Sequence, residues 1–354
     1  MKNKIITITF LGYIILFSFL HIAFKDNEIS TVERRELAVF PEIVFTSEYI
    51  TKVEKYLLDH FPYRNEYRSI KAMYNYNIMQ KLDNNGIYIK DNSIYKSNYP
   101  TDTKSVNNFI SKTSKIKELL TEDNNTYIMI VPDKNYYLKD KNFLHIDYDY
   151  IYNEVDKLNI TNIDIRNIMA LEDYYETDTH WKQENLDKVV YEMSKKMNFD
   201  YKKQNYVVNE YGNFYGVYYG ESALKRNPEK LTYLTNTTID NVVVKYQEND
   251  KLFTVYNKEK LTGLDAYEVY LDGASQYIEI TNNASKTNKE LVIFRDSFGS
   301  SIAPLLIEYY SKIILIDNRY ISSDYFLENI EFTNQDVLFL YSTLIINTSG
   351  TLKG

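Results

Sequence analysis

LVIFRDSFGSSIAPLL, residues 291–306, is the stretch of this 354-residue chain that decides the fold. It begins with a short, wholly apolar run, which is typical of a strand buried on both faces, and it passes through a tight polar turn into an apolar helix. In an open α/β sheet, such a turn lies at the carboxyl end of a strand, where ligands bind. The stretch therefore predicts a helix-covered sheet with a candidate functional turn at Asp296 and Ser297.

Other apolar runs of the same kind alternate with helical patterns. Further buried strands are predicted at 126–131, 312–316 and 336–340, and helical spacing is present at 106–120 and 300–310. Strands that alternate with helices indicate an α/β domain, which we expect to span residues 86–354. Between about 205 and 285, alternating Val, Thr and Tyr residues with polar turns predict a strand-rich, antiparallel insertion.

The N-terminus has the sequence of a membrane anchor. About 20 residues without a charge separate Lys4 from Lys25, which is long enough to cross a bilayer. Lys2 and Lys4 favour a cytoplasmic N-terminus, so we expect the rest of the chain on the outer side of the cell membrane. A cleaved signal peptide is the alternative; the long apolar run and the lack of a small-residue cleavage site disfavour it.

Residues 1–25 are therefore predicted to be the cytoplasmic N-terminus and anchor, and residues 26–85 a linker and helical stalk. The polar start of this second region reads as extended, and residues 47–83 read as helices that are interrupted at Pro62.

Composition excludes several classes of function. The chain is 44% hydrophobic, which is enough for a sizeable core, and it has a net charge of −8 with no block of Lys and Arg. This balance argues against a nucleic-acid-binding surface. There is no cysteine, and the four histidines are scattered. We therefore predict neither a metal site nor another cofactor.

The turn at Ser297 is the first candidate for chemistry. The helix that follows it directs its positive end and free backbone N–H groups toward Ser297 and toward any oxyanion formed there. The alternative is that Asp296 and Ser297 only cap this helix, which is a common use of both residue types.

The second candidate is TDTHW, residues 177–181. A serine hydroxyl is a poor nucleophile until a base removes its proton, and an imidazole does this best when a carboxylate orients it. Asp178 could reach Nδ1 of His180 while Nε2 faces a serine. We expect Trp181 to pack behind the histidine or to line the pocket. The alternative, that Asp178 or Thr179 caps the helix that follows, is open on the sequence alone.

TDTHW, followed more than a hundred residues later by VIFRDSFGSSIAPLL and LIDNRY, resembles the bacterial DHHW family. STVERRELAVFPE, LLDHFPYRNEYR and VPDKNYY also match in order, so the resemblance runs from about residue 30 to 320. That family is similar to the SGNH-hydrolase-like proteins that include the alginate O-acetyltransferases. The resemblance implies an SGNH-hydrolase-like, three-layer α/β/α domain with a mostly parallel sheet. This chain departs from the DHHW signature at Thr179, and Arg295 stands where the wider superfamily has glycine.

The same resemblance implies a catalytic triad, with Ser297 as nucleophile, His180 as general base and acid, and Asp178 as the orienting carboxylate. Lys134, Arg319 and Tyr320, just beyond predicted strand ends, are candidates for gripping an acyl donor or a sugar hydroxyl. Trp181, Arg295 and Asp296 complete the predicted substrate-binding set. For two of them a structural alternative is equally open, a plain loop lysine at Lys134 and an Arg319 tied to Asp317.

The function that the resemblance implies is an extracytoplasmic, membrane-anchored O-acetyltransferase acting on an exported or cell-surface polysaccharide. Because acetyl-CoA is cytoplasmic, it also implies a donor partner of the membrane-bound O-acyltransferase type. An esterase or deacetylase with the same triad is an alternative, since transfer and hydrolysis differ only in water exclusion and acceptor binding. A non-catalytic polysaccharide-binding assembly component is a third hypothesis.

Overall fold

The chain divides into two units, which a computed structural model describes at residues 2–44, 46–138, 143–247, 249–321 and 330–353. The first unit comprises Met1–Ile87 with Val217–Asn227, and the second comprises Tyr88–Gly216 with Pro228–Gly354. The division at Ile87 lies close to the boundary predicted at residue 86. The assignment of Val217–Asn227 to the first unit has no counterpart in the sequence pattern.

The helices and strands are numbered in chain order. The helices are α1 Lys2–Ala23, α2 Ser47–Asp59, α3 Arg64–Met73, α4 Thr103–Glu118, α5 Tyr148–Asp156, α6 Asp187–Met197, α7 Val217–Ser222, α8 Thr237–Asn241, α9 Phe298–Leu306 and α10 Thr343–Ile346. The strands are β1 Ile29–Ser30, β2 Arg35–Glu36, β3 Ile87–Lys90, β4 Ser93–Lys96, β5 Asn125–Val131, β6 Thr161–Asn162, β7 Val207–Phe214, β8 Glu229–Thr235, β9 Val243–Tyr246, β10 Asn249–Phe253, β11 Tyr277–Thr281, β12 Glu290–Arg295, β13 Lys312–Ile316 and β14 Asp336–Ser342.

The first unit contains the apolar helix and the stalk helices. Helix α1 is 22 residues long and apolar enough to span a membrane. Helix α2 begins at an N-cap, where the Thr46 hydroxyl accepts the Tyr49 N–H at 3.1 Å. It ends before Pro62, and α3 follows, so the break lies where the proline predicts it.

An ion cluster joins the start of this unit to the end of α2. The Arg35 guanidinium donates to both carboxylate oxygens of Asp59, at 2.9 and 2.5 Å, and the Ala38 N–H donates to the same carboxylate at 3.0 Å. The hydrogen bonds from Arg35 lower the pKa of Asp59 to about 2. Asp59 is only 8% exposed, so its carboxylate is largely shielded from water. The cluster therefore fixes the extended segment against α2.

We expect Asp59→Asn to loosen α2. The folded pKa of Asp59 lies below its ordinary value of 3.8, so its contribution is fully present above about pH 4 and is lost as the pH falls through about 2. At neutral pH the variant should lose roughly 1–2 kcal/mol of local stability, measured as faster amide exchange of α2. Glu48→Gln is the control, because Glu48 pairs with Lys52 in the same helix but at the surface. Equal exchange in the two variants would contradict the assignment.

The second unit is built on one twisted, eight-stranded sheet. Its strand order is β10-β9-β11-β13-β12-β14-β5-β6. The pairs from β13 to β6 are parallel, and β11, β9 and β10 extend the sheet beyond β13 as antiparallel strands. The predicted α/β fold with a mostly parallel sheet is thus confirmed.

Alternation along the strands divides the core into two layers. In β12, Leu291 and Ile293 belong to the apolar cluster shared with α6 and α9, whereas Val292 and Phe294 belong to the cluster shared with α4 and α5. Successive strand residues point to opposite faces, so a continuous apolar run is required where both faces are covered. This arrangement gives the expected three layers, α/β/α.

The region predicted as a strand-rich insertion contributes to two sheets. Strands β9, β10 and β11 belong to the main sheet, while β7 and β8 form a separate antiparallel pair. The prediction of strands at 205–285 is therefore correct, but most of them extend the central sheet rather than forming an insertion outside it.

The carboxyl ends of the parallel strands meet at one edge. Ser297 follows β12, Lys134 follows β5, Asp317 follows β13 and Thr343 follows β14. The parallel register of these neighbouring strands brings the four segments to the same edge of the sheet.

Candidate active site

The turn after β12 is fixed by the Asp296 carboxylate. One of its oxygens accepts the Phe298 N–H at 3.0 Å, and the other accepts the Ser342 N–H at 2.8 Å from the end of β14. Asp296 is 1% exposed, so its carboxylate supports the turn, and its role in substrate binding stays a prediction. The Ser297 side chain makes no capping hydrogen bond to α9. Its hydroxyl is therefore available to another partner.

The loop that carries Asp178 and His180 is closed by backbone hydrogen bonds. Tyr174 and Trp181 form an isolated antiparallel bridge, and the Tyr175 N–H donates to the His180 carbonyl at 3.1 Å. Helix α6 begins only at Asp187, after a separate 3₁₀ turn. The alternative that Asp178 or Thr179 caps this helix is therefore wrong.

The two motifs meet through the imidazole of His180. Its Nδ1 lies 2.8 Å from Oδ1 of Asp178, and its Nε2 lies 2.7 Å from Oγ of Ser297. The same Asp178 oxygen also accepts the backbone N–H groups of Thr179, at 2.5 Å, and His180, at 3.1 Å. Asp178 is fully buried and His180 is 8% exposed. This arrangement is able to move a proton between the serine hydroxyl and the imidazole.

Aromatic packing holds the imidazole ring in place. The ring of Tyr267 stacks on His180 with centroids 3.8 Å apart and planes 9° apart. The Tyr267 hydroxyl donates to Ser301 at 2.8 Å, and Nε1 of Trp181 donates to the same oxygen at 2.7 Å. Burial raises the pKa of Tyr267 well above its ordinary value, so its hydroxyl remains a donor. Trp181 is fully buried beside the histidine, and its contact with substrate stays a prediction.

The first turn of α9 offers fewer free N–H groups than the sequence indicates. The N–H of Phe298 is bonded to the Asp296 carboxylate, that of Gly299 to the Asp296 carbonyl at 3.1 Å, and that of Ser300 to the Ser297 carbonyl at 3.1 Å. Among the described residues, no acceptor is found for the N–H of Ser297 itself. This group, at the positive end of α9, is the backbone donor best placed for an oxyanion on the serine.

Arg295 lies beneath the turn and not in the pocket. Its side chain is fully buried, its Nη1 is 3.9 Å from Asp317, and a Cβ on Gly299 would lie 2.8 Å from the Arg295 Cβ. Burial lowers the pKa of Arg295. The stem of Arg295 packs against the helix that carries the turn, and its predicted contact with substrate stays a prediction.

The remaining strand-end candidates divide into a buried and an exposed group. Lys134 is 3% exposed, and its ammonium donates to backbone carbonyls; its grip on a substrate stays a prediction. Arg319 donates to both oxygens of Asp317, at 2.8 and 2.5 Å, which is the structural alternative raised for it. Tyr320 is 47% exposed beside Arg319, and its role in substrate binding stays a prediction.

Several residues that build the site carry no recognisable signal in the sequence. Tyr267 is one of 36 tyrosines, and nothing in its surroundings marks it as the partner of His180. Ser301 lies four residues after Ser297, and the sequence shows it only as part of an apolar helix. Glu229 and Thr177, which hold the histidine loop, are joined by a hydrogen bond of 2.5 Å that links distant segments.

Comparison with known proteins identifies the fold. No protein-family model and no curated protein sequence matches the chain. A DHHW family protein from Eubacterium siraeum is similar in structure, with a TM-score of 0.62, 20% identity, and coverage of 77% of this chain and 97% of that protein. Bacillus cereus PatB1 carrying a sulfonyl adduct has a TM-score of 0.58, 18% identity, and coverage of 73% and 95%.

A second structure of Bacillus cereus PatB1 gives the same TM-score of 0.58 at 17% identity, with coverage of 74% and 97%. At these identities the likeness establishes a shared fold. The resemblance to the DHHW family that the motifs indicate is therefore confirmed by the fold.

We expect Ser301→Ala to be costly, because it leaves two buried donors, Trp181 Nε1 and the Tyr267 hydroxyl, without their acceptor. The free energy of unfolding should fall by roughly 2 kcal/mol or more. Urea unfolding followed by the fluorescence of Trp181, the single tryptophan, measures this.

Ser300→Ala is the matched control for Ser301→Ala. The Ser300 hydroxyl is also buried in α9, but it has no hydrogen-bond partner among the described residues. Its removal should be close to neutral. If both variants unfold at the same urea concentration, the shared acceptor does not stabilise the site.

Proposed function

We propose that the protein is a membrane-anchored, extracytoplasmic O-acyltransferase that moves an acetyl group onto hydroxyls of an exported or cell-surface polysaccharide. The observation that carries the proposal is the continuous hydrogen-bonded path from Asp178 through His180 to Ser297, with distances of 2.8 and 2.7 Å. Such a path has the chemistry of a nucleophilic serine with an oriented base.

In the proposed reaction, Oγ of Ser297 attacks the carbonyl carbon of the acyl donor while Nε2 of His180 takes the hydroxyl proton. The tetrahedral intermediate places its negative charge near the positive end of α9. When the intermediate collapses, the leaving group departs with the proton from His180, and the acyl group stays on the serine. His180 then takes the proton of a sugar hydroxyl, whose oxygen attacks the acyl carbon. The bond between that carbon and Oγ of Ser297 breaks, and the serine oxygen regains its proton from His180.

The imidazolium formed in each half-reaction faces the Asp178 carboxylate. Because Asp178 is fully buried, this charge pair is weakly screened by water. The stacked Tyr267 ring holds the imidazole plane, so one ring orientation serves both the attack and the release. The carboxylate and the ring together supply the fixed geometry that acyl transfer needs.

The proposed location and donor partner follow from the N-terminal helix. Helix α1 is long and apolar enough to anchor the protein, and Lys2 and Lys4 before it favour a cytoplasmic N-terminus. A catalytic unit on the outer side has no access to cytoplasmic acetyl-CoA. We therefore propose a membrane-bound O-acyltransferase as the donor partner.

We expect Ser297→Ala to lower kcat for an activated acetyl ester by about 10³-fold or more, because the nucleophile is lost. The full-length protein in detergent, given the ester and candidate oligosaccharides, should place acetyl groups on the sugar, as read by mass spectrometry. Ser300→Ala, in the same helix, should retain both activities.

The outcomes separate the proposed function from its alternatives. If the acetyl group is released only as free acetate, and Ser297 is still required, the protein is an esterase and not a transferase. Turnover that is unaffected by Ser297→Ala, or absent from the wild type, would favour a non-catalytic polysaccharide-binding component.

A further inference from the structure

We propose that Lys134 and Glu229 are positioning residues that form a charge clamp on the loop carrying Asp178 and His180. In this charge clamp, the Lys134 ammonium bonds to carbonyl groups within residues 175–178, and the Glu229 carboxylate bonds to N–H groups of the same loop. The inference rests on the proposed function, because it concerns the same serine chemistry.

The Lys134 ammonium is held by backbone carbonyls of the loop. Its Nζ donates to the carbonyl of Tyr175 at 2.7 Å, of Glu176 at 2.8 Å and of Asp178 at 3.3 Å. It also donates, at 2.8 Å, to the carbonyl of Ile94 in β4. An ammonium has three N–H donors, so these carbonyls use its full donor capacity. Lys134 therefore ties the loop to the carboxyl end of β5 and to β4.

The Glu229 carboxylate holds the opposite side of the same peptide units. It accepts the Glu176 N–H at 2.6 Å, the Thr177 N–H at 2.7 Å and the Thr177 hydroxyl at 2.5 Å. The Thr177 hydroxyl oxygen in turn accepts the Gly216 N–H at 2.9 Å. Glu229 begins β8, so a second strand fixes the loop from the other side.

Both halves of the clamp act on the 175–176 and 176–177 peptide units, which lie one peptide before Asp178. A cation on carbonyl oxygens and an anion on N–H groups orient these peptide dipoles in one sense, and the bonds are charge-assisted. The carboxylate of Asp178 has little freedom once its own carbonyl and the preceding peptides are fixed. The clamp therefore sets the position of the oxygen that faces Nδ1 of His180.

The close packing at Gly216 indicates that the loop has no room to shift. A Cβ at this residue would lie 2.1 Å from the Thr177 carbonyl oxygen and 2.4 Å from the Asp178 nitrogen. Backbone contact on this side therefore blocks movement of the loop toward Gly216. A small displacement of a catalytic group is enough to slow the reaction by about a hundredfold.

The test measures how fast Ser297 reacts with phenylmethylsulfonyl fluoride in the full-length protein. The serine oxygen bonds to sulfur, fluoride leaves, and the hydroxyl proton passes to His180. Lys134→Met removes the ammonium and keeps an apolar stem of similar length. We expect labelling of Ser297 and kcat for the acetyl ester to fall about ten- to a hundredfold, with KM within about twofold.

The matched control is Lys182→Met. Lys182 lies after the same loop, but its ammonium donates at the surface to the Glu172 carbonyl at 3.2 Å. We expect this variant to react at the wild-type rate. A labelling rate that falls equally in both methionine variants would overturn the inference.

Glu229→Gln tests the second half and stands in if Lys134→Met does not fold, as judged by circular dichroism and thermal melting. An amide keeps the shape but offers a donor where two N–H groups need acceptors. Glu210→Gln is its control, because Glu210 pairs with Lys230 at the surface of the same β7–β8 sheet. We expect a slowing of about tenfold or more in Glu229→Gln and none in Glu210→Gln.

The double variant Lys134→Met, Glu229→Gln distinguishes positioning from general weakening of the fold. If both residues act through one loop, the loss of Ser297 reactivity in the double variant should be smaller than the product of the single losses. Folded single variants that label Ser297 at the wild-type rate would overturn the clamp.

Failure of the clamp and failure of the proposed function have different readouts. If the wild type labels at Ser297 but never transfers an acyl group to sugar, the proposed function fails and the labelling rates still decide the clamp. If the wild-type serine does not react at all, both fail.

Discussion

The rest of the site depends on one hydrogen bond, between Nε2 of His180 and Oγ of Ser297, residues that lie 117 positions apart. Its two ends are supported by different parts of the fold. The serine is placed by the parallel register of β12 with β13 and β14, which sets where the turn begins. The histidine belongs to a loop outside the sheet. The loop must therefore be positioned by contacts of its own.

Burying the charged groups of these contacts costs free energy, which explains why their hydrogen bonds are so completely satisfied. Asp178 is fully buried and Lys134 nearly so, and a buried charge is strongly unfavourable unless hydrogen bonds replace its water. Asp178 accepts hydrogen bonds from two backbone N–H groups and contacts the imidazole, while Lys134 donates to several carbonyls. Burial still lowers the pKa of Lys134 to about 7, against the opposing effect of Glu229 and Asp178. Groups fixed in this way need no rearrangement when charge develops on the serine.

The sequence predicted the parts of the structure that depend on local pattern. Apolar runs of strand length located β5, β12, β13 and β14, because a strand covered on both faces has no polar alternation. The ordered motifs pointed to Asp178, His180 and Ser297. The local pattern does not show which way the side chains near the site point. Trp181 and Lys134 could equally have faced a substrate, and only the packing of distant segments turns them inward.

Contacts between segments that are distant in the sequence explain why the other residues of the site were not predicted. Tyr267 stacks on His180 across a long separation in sequence, and a tyrosine in a chain rich in tyrosine gives no sign of such a partner. Glu229 is similarly inconspicuous, since a glutamate at the start of a strand is ordinarily a solvated charge. Both residues act through the fold and not through a motif.

Arg295 departs from the superfamily pattern, and the pleat of β12 determines where its side chain lies. Alternation along that strand places residue 295 on the face covered by α9, where Leu291 and Ile293 also point. An arginine there would push the helix away unless its first turn leaves space. Gly299 provides this space, because any Cβ would lie 2.8 Å from the Cβ of Arg295. The residue that departs from the pattern and the glycine four positions later are therefore one structural feature, which allows α9 to start directly behind Ser297.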